Sequence, residues 1–97
     1  MAALILLELK ADAGHAGDLR DFFREELKHT RGFDGCNDIT VHSNQEDPDS
    51  MVIVETWDSR EQYAKYLTWR TERGDMEKLG GWVAGAPSIR YFNNLGV

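Results

Sequence analysis

Two segments of this chain are apolar on both faces of an extended backbone. They are residues 3–10, Ala-Leu-Ile-Leu-Leu-Glu-Leu-Lys, and residues 51–57, Met-Val-Ile-Val-Glu-Thr-Trp. The first is too short for a typical helix, and the second is rich in β-branched residues. Both therefore read as strands covered on two sides. With 97 residues, the chain has material for one domain over 1–97 and one modest core. A domain this size buries only roughly 60–70% of its unfolded surface when it folds alone. The second face of such strands needs another cover, and a second copy of the same sheet is the simplest one.

The remaining pattern fills in around these strands. Ala16, Leu19, Phe22, Phe23 and Leu27 recur at helical spacing, with Asp18, Arg20, Arg24, Glu25 and Lys28 opposite, and Gly32 ends that helix. Residues 36–43 alternate Ile39 and Val41 against Asp38, Thr40 and His42, a strand with one wet face. Glu46-Asp47-Pro48-Asp49-Ser50 is a turn. Ser59-Arg-Glu-Gln62 is a capping box that opens a second helix, running to about Arg73 and stopping at Gly74. Residues 75–84 make a turn or short helix, and residues 88–92 make the last strand. The order β-α-β-β-α-β predicts the split ferredoxin-like α+β fold, with two helices on one face of a four-stranded antiparallel sheet.

Charge and motifs exclude several classes of function. Asp and Glu outnumber Lys and Arg 17 to 11, a net charge of −6, which opposes binding to nucleic acid or to an anionic membrane. No stretch approaches the ~20 apolar residues that span a bilayer. The apolar N-terminus stops at Glu8 and lacks a basic flank and a cleavage site, so it does not read as a signal peptide. The lone Cys36 reads as a small buried residue at a strand start and fits a reducing compartment, and the expectation is a cytoplasmic protein. The three histidines are scattered with no His-x-x-x-His spacing, so no metal site is expected. No Gly-rich phosphate loop is present. Gly80-Gly81 and Gly85 read as turn residues.

The second helix carries the most chemistry. Tyr63, Tyr66, Leu67, Arg70 and Gly74 fall on one stripe, with Lys65, Thr68 and Glu72 opposite. Arg70 thus lies on the face expected to pack on the sheet, where a cation needs an acceptor. One reading pairs it with Glu55 in a buried ion pair. The other aims it at an anionic or phenolate ligand between helix and sheet. Trp57 shares a strand face with Glu55, and Trp69 flanks the stripe. Both read as packing residues, though their rings also suit a planar aromatic ligand. His29 closes the first helix, where it suits the helix dipole or serves as a base at a pocket mouth. His15 and His42 read as exposed or solvated.

Two stretches, Thr30-Arg31-Gly32-Phe33-Asp34-Gly35-Cys36 and Val54-Glu55-Thr56-Trp57-Asp58-Ser59, resemble the antibiotic biosynthesis monooxygenase family. The likeness extends over nearly the whole chain. It implies a dimeric α+β barrel and, among its several activities, oxygenation of quinols or anthrones without metal or flavin. Many members carry histidines where this chain has Tyr66 and, nearby, Thr71. The haem-degrading members use residues whose counterparts here are approximately Ile5, Tyr66 and Met76, so haem chemistry is not expected. Mapped onto this chain, the resemblance makes Glu55 or His29 the proton acceptor and Arg70 the stabiliser of a phenolate. Trp57, Tyr63, Tyr66 and Trp69 would hold the ring. The implied partners are O₂, a small aromatic molecule and a second subunit, with no cofactor. A non-catalytic ligand-binding or structural dimer is the alternative.

Overall fold

The computed structural model describes residues 2–97. Met1, the first residue of the N-terminal apolar run, lies outside them. The elements are β1 (Ala3–Lys10), α1 (Ala16–Arg31), β2 (Cys36–Ser43), β3 (Ser50–Trp57), α2 (Arg60–Glu72), α3 (Asp75–Gly80) and β4 (Ser88–Asn93). The four strands form one antiparallel sheet in the order β2-β3-β1-β4. This is the ferredoxin-like α+β arrangement, and the expected boundaries of the strands hold to within a residue. The short segment after Gly74 is a true helix, α3, so the helical layer has three members instead of two.

Pairing divides the central strands into two faces. Ile5 sits opposite Glu55 and Tyr91, Leu7 opposite Ile53, and Leu9 opposite Met51. These residues face the helices. The core there has two parts: Leu9, Leu19, Phe23, Leu27, Ile39, Met51 and Ile53 under α1, and Ile5, Trp57, Tyr63 and Tyr66 under α2. The alternate residues Leu4, Leu6, Val52 and Val54 are only half-buried, and their cross-strand neighbours include Phe92 and Arg90. Among the described residues no helix covers that second face.

Local chemistry explains the ends of the elements. Ser59 Oγ accepts from the Gln62 backbone N–H at 3.2 Å, the expected half of the capping box. The reciprocal half differs, because Gln62 Oε1 accepts from the Ser59 hydroxyl instead of reaching back to its backbone. Gln62 is held there by Gly35, whose φ is +92° and where an added Cβ would sit 2.6 Å from Gln62 Cδ. Cys36 follows directly, half-buried and not fully enclosed as expected, beside a register shift in the β2–β3 ladder.

Gly35→Ala combines a left-handed backbone with a clash against the α2 cap. It should lower unfolding stability by about 2 kcal/mol or more in urea titration. Gly85→Ala, at φ +72° with open space around it, should cost about 1 kcal/mol.

Candidate functional site

The ring cluster forms where α2 lies over the β1–β3 end of the sheet. Trp57 is fully buried and its ring lies 5.1 Å from Tyr66 and 5.6 Å from Tyr63. Phe33, from the α1–β2 loop, stands edge-on to Tyr66 at 5.4 Å and is tilted against Trp69 at 5.5 Å. Tyr91 on β4 closes the far side, 6.1 Å from Tyr63. Helical spacing of Tyr63 and Tyr66 and strand alternation of Glu55 and Trp57 bring four of the expected residues together. Phe33 and Tyr91 come from elements whose side chains gave no separate signal, although Phe33 lies inside the Thr30–Cys36 stretch.

Glu55 is the carboxyl of this cluster. It is buried, and its Oε1 accepts from Trp57 Nε1 at 3.0 Å. Loss of water raises its pKa from the ordinary 4.5 to about 7, with the indole hydrogen bond and the charge of Arg70 opposing the rise. Burial likewise raises the Tyr63 and Tyr66 phenols, so both are neutral hydroxyls near pH 7.

The Glu55–Arg70 ion pair, one of the two readings of Arg70, does not form. Arg70 is buried, but its head lies among the helices and not against the sheet. Nη1 donates to Glu26 Oε1 at 2.6 Å and to Asp75 Oδ2 at 2.8 Å. Nη2 donates to the Glu26 carbonyl at 2.8 Å and to Thr30 Oγ1 at 2.9 Å. Nε donates to the Tyr66 hydroxyl at 2.8 Å. The physical reason is reach. Helical phase places Cβ, whereas a long arginine side chain carries its guanidinium to the nearest carboxylates, here on α1 and α3. Burial alone would lower the Arg70 pKa, but bonds to Asp75, Tyr66 and Glu26 outweigh it and hold the cation. Glu26 and Asp75 carry no signal in the sequence, and Thr30 enters only as the first residue of the Thr30–Cys36 stretch, since a partner on another helix leaves no local spacing to read.

The peripheral candidates separate from this centre. Trp69 is half-buried, with the Arg70 and Arg73 guanidiniums 4.8 and 4.7 Å from its ring. His29 is exposed, and its ring stands 6.4 Å from Trp69 on the outside of the cluster. His15 bonds Asp18 at 2.8 Å, and His42 bonds Thr40 at 2.9 Å. Neither joins the centre. Among the described residues no group of three or more His, Cys, Asp or Glu is placed to hold a metal ion. No helix among them is long and apolar enough to cross a membrane.

An antiparallel four-stranded sheet, one helical layer and a buried aromatic–carboxyl cluster define an α+β protein of the ferredoxin-like class. Residues 3–70 match the sequence model of the antibiotic biosynthesis monooxygenase family, and the chain belongs to that family. Solved structures share the fold. A protein from Deinococcus radiodurans, described as a candidate antibiotic biosynthesis monooxygenase, superposes with a TM-score of 0.85 at 23% identity, covering 98% of this chain and 94% of its own. One from Nitrosomonas europaea with the same description gives 0.82 at 16% identity, covering 98% and 91%. A conserved protein from Methanosarcina mazei gives 0.86 at 13%, covering 95% and 91%. No curated protein matches the sequence.

Arg70→Met leaves Glu26 and Asp75 without their buried cation and should lower unfolding stability by about 3–5 kcal/mol. Glu55→Gln keeps an acceptor for Trp57 Nε1 and should be the milder change. Folded Glu55 holds its proton to a higher pH than the unfolded chain, so folding takes up a proton between 4.5 and about 7. Stability should therefore fall as pH rises through that window, by at most about 3 kcal/mol from this group. Denaturant midpoints of Glu55→Gln, compared with the parent, should lose that part of the slope.

Proposed function

We propose that this chain acts in the cytoplasm, as one domain over residues 1–97, as a cofactor-independent monooxygenase of a small quinol- or anthrone-like compound. The observation that carries the reading is Glu55, a buried carboxyl with a pKa of about 7 set among Trp57, Tyr63 and Tyr66. A base of that strength is half ionised at neutral pH and matched to an acidic phenol or enol. The substrate supplies the electrons. Glu55 takes a proton and leaves an electron-rich anion that reduces O₂ directly. For an anthrone, CH₂ and O₂ become C=O and H₂O, so one oxygen enters the ring and the other leaves with the two hydrogens. Trp57, Tyr63, Tyr66 and Trp69 hold the ring. Arg70, bound among the helices behind Tyr66, contributes positive charge to the site only at longer range. His29 is the alternative base, at the outer edge.

A second reading is favoured by one observation. The cluster is closely packed, with Trp57 and Tyr63 almost wholly enclosed and the grooves of about 580 and 220 Å³ lined by other residues. A filled interior suits a non-catalytic or structural member of the family. Oxygen uptake by metal-stripped protein, screened over hydroquinones and anthrones, separates the two. The enzyme reading expects turnover that Glu55→Gln reduces by roughly 10²–10⁴-fold. Absence of uptake across the screen favours the structural reading.

The functional unit in this proposal is a homodimer packed sheet to sheet. Its support is the uncovered face of Leu4, Leu6, Val52, Val54 and Phe92, the last 39% exposed. Such an interface should bury on the order of 2,000 Å² or more. Light scattering should give twice the 11.0 kDa chain mass, and Leu6→Asp should return the monomer.

A further inference from the structure

Outside the ring cluster, the surface carries a groove of about 580 Å³ between α1 and the edge strand β2. Its volume falls within the range of small-molecule sites. The floor is apolar, made by the groove-facing edges of Phe23, Leu27, Val41 and Met51. Its wall on the helix holds Arg20, Arg24 and Arg31. Asp and Glu number 17 in this chain of 97 residues, yet none lines the groove among the described residues. Three arginines and no carboxylate line this groove, in a protein of net charge −6.

The arginines are also available. Arg20 has no hydrogen-bond or ion-pair partner among the described residues. Arg24 has only a long, exposed contact of 3.5 Å to Asp21, which is worth little in water. Arg31 places one N–H on the Ile39 carbonyl at 3.2 Å and keeps its other donors. Arg20 and Arg24 are one helical turn apart, about 6 Å along the axis, close enough to share one carboxylate. Floor and wall together ask for a ligand with an apolar body and a single anionic end.

We propose that the α1–β2 groove is a binding site for an apolar carboxylic acid. The aryl or acyl body lies on Phe23, Leu27 and Met51, and the carboxylate is held by Arg20 and Arg24. The groove runs along β2, an edge strand of the sheet, with Val41, His42 and Ser43 in its lining. The site does not depend on the oxygenase reading.

The test uses 2-naphthoate as the probe and 2-naphthalenemethanol as its uncharged counterpart. Calorimetry should show saturable binding of the acid, weakened at least tenfold in Arg20→Gln/Arg24→Gln and also weakened by added salt. Both arginines are exposed, so the double variant should keep the parent's thermal midpoint. The alcohol should bind more weakly than the acid and equally to both proteins. Amide shifts in ¹H–¹⁵N spectra should move at Phe23, Leu27, Val41 and Met51. Equal binding of acid and alcohol, an unchanged affinity in the double variant, or no saturable binding in the millimolar range would overturn the site. Shifts confined to Trp57, Tyr63 and Tyr66 would also overturn it while leaving the oxygenase proposal intact.

Discussion

A single buried guanidinium organises the helical layer. Arg70 makes five hydrogen bonds, to Tyr66, Glu26 Oε1, Asp75, the Glu26 carbonyl and Thr30. A guanidinium has five N–H donors, so the group is fully satisfied. Its partners lie on α1, α2 and α3. Arg73, exposed at the edge of the network, adds a second cation 3.2 Å from Glu26, so two arginines face two carboxylates and the network is neutral. A buried ion pair earns little stability relative to an apolar core, because desolvation offsets attraction, but losing one member leaves an unpaired charge. The network therefore makes the packing of the three helices conditional on one geometry.

That geometry reaches the aromatic cluster through one atom. The Tyr66 hydroxyl receives Arg70 Nε and shares a 2.7 Å hydrogen bond with Thr30 Oγ1. The Tyr66 ring lies on Trp57, and Trp57 bonds Glu55. The two carboxylate environments in the interior consequently differ. Glu26 and Asp75 have cations in contact, whereas Glu55 has only an indole N–H and a more distant positive charge. Burial then dominates at Glu55 and moves its proton affinity into the neutral range. The contrast arises because Arg70 is fully engaged elsewhere.

Much of the fold was legible in the sequence. The two doubly apolar segments gave the central strands β1 and β3, alternation at Ile39 and Val41 gave β2, and the Ser59 cap gave the start of α2 to the residue. These signals are local, since each depends on side-chain period or on a hydrogen bond within one turn. The third helix was ambiguous because six residues hold too little period to identify. The ring cluster was partly legible, as Glu55, Trp57, Tyr63 and Tyr66 share faces within single elements. Phe33 and Tyr91 were not, because they enter from other elements.

The sequence by itself determined the strand and helix order, the sheet's two apolar faces and the kinds of residue in the core, since period, propensity and capping act over a few residues. Only the tertiary structure decided which acids Arg70 meets. Glu26 and Asp75 are 44 and 5 residues away from it, and neither spacing announces a contact. The same holds for the three arginines that line one groove against β2, and for the charge state of Glu55. Each is a balance of desolvation and pairing, and that balance exists only once the chain has closed around the groups concerned.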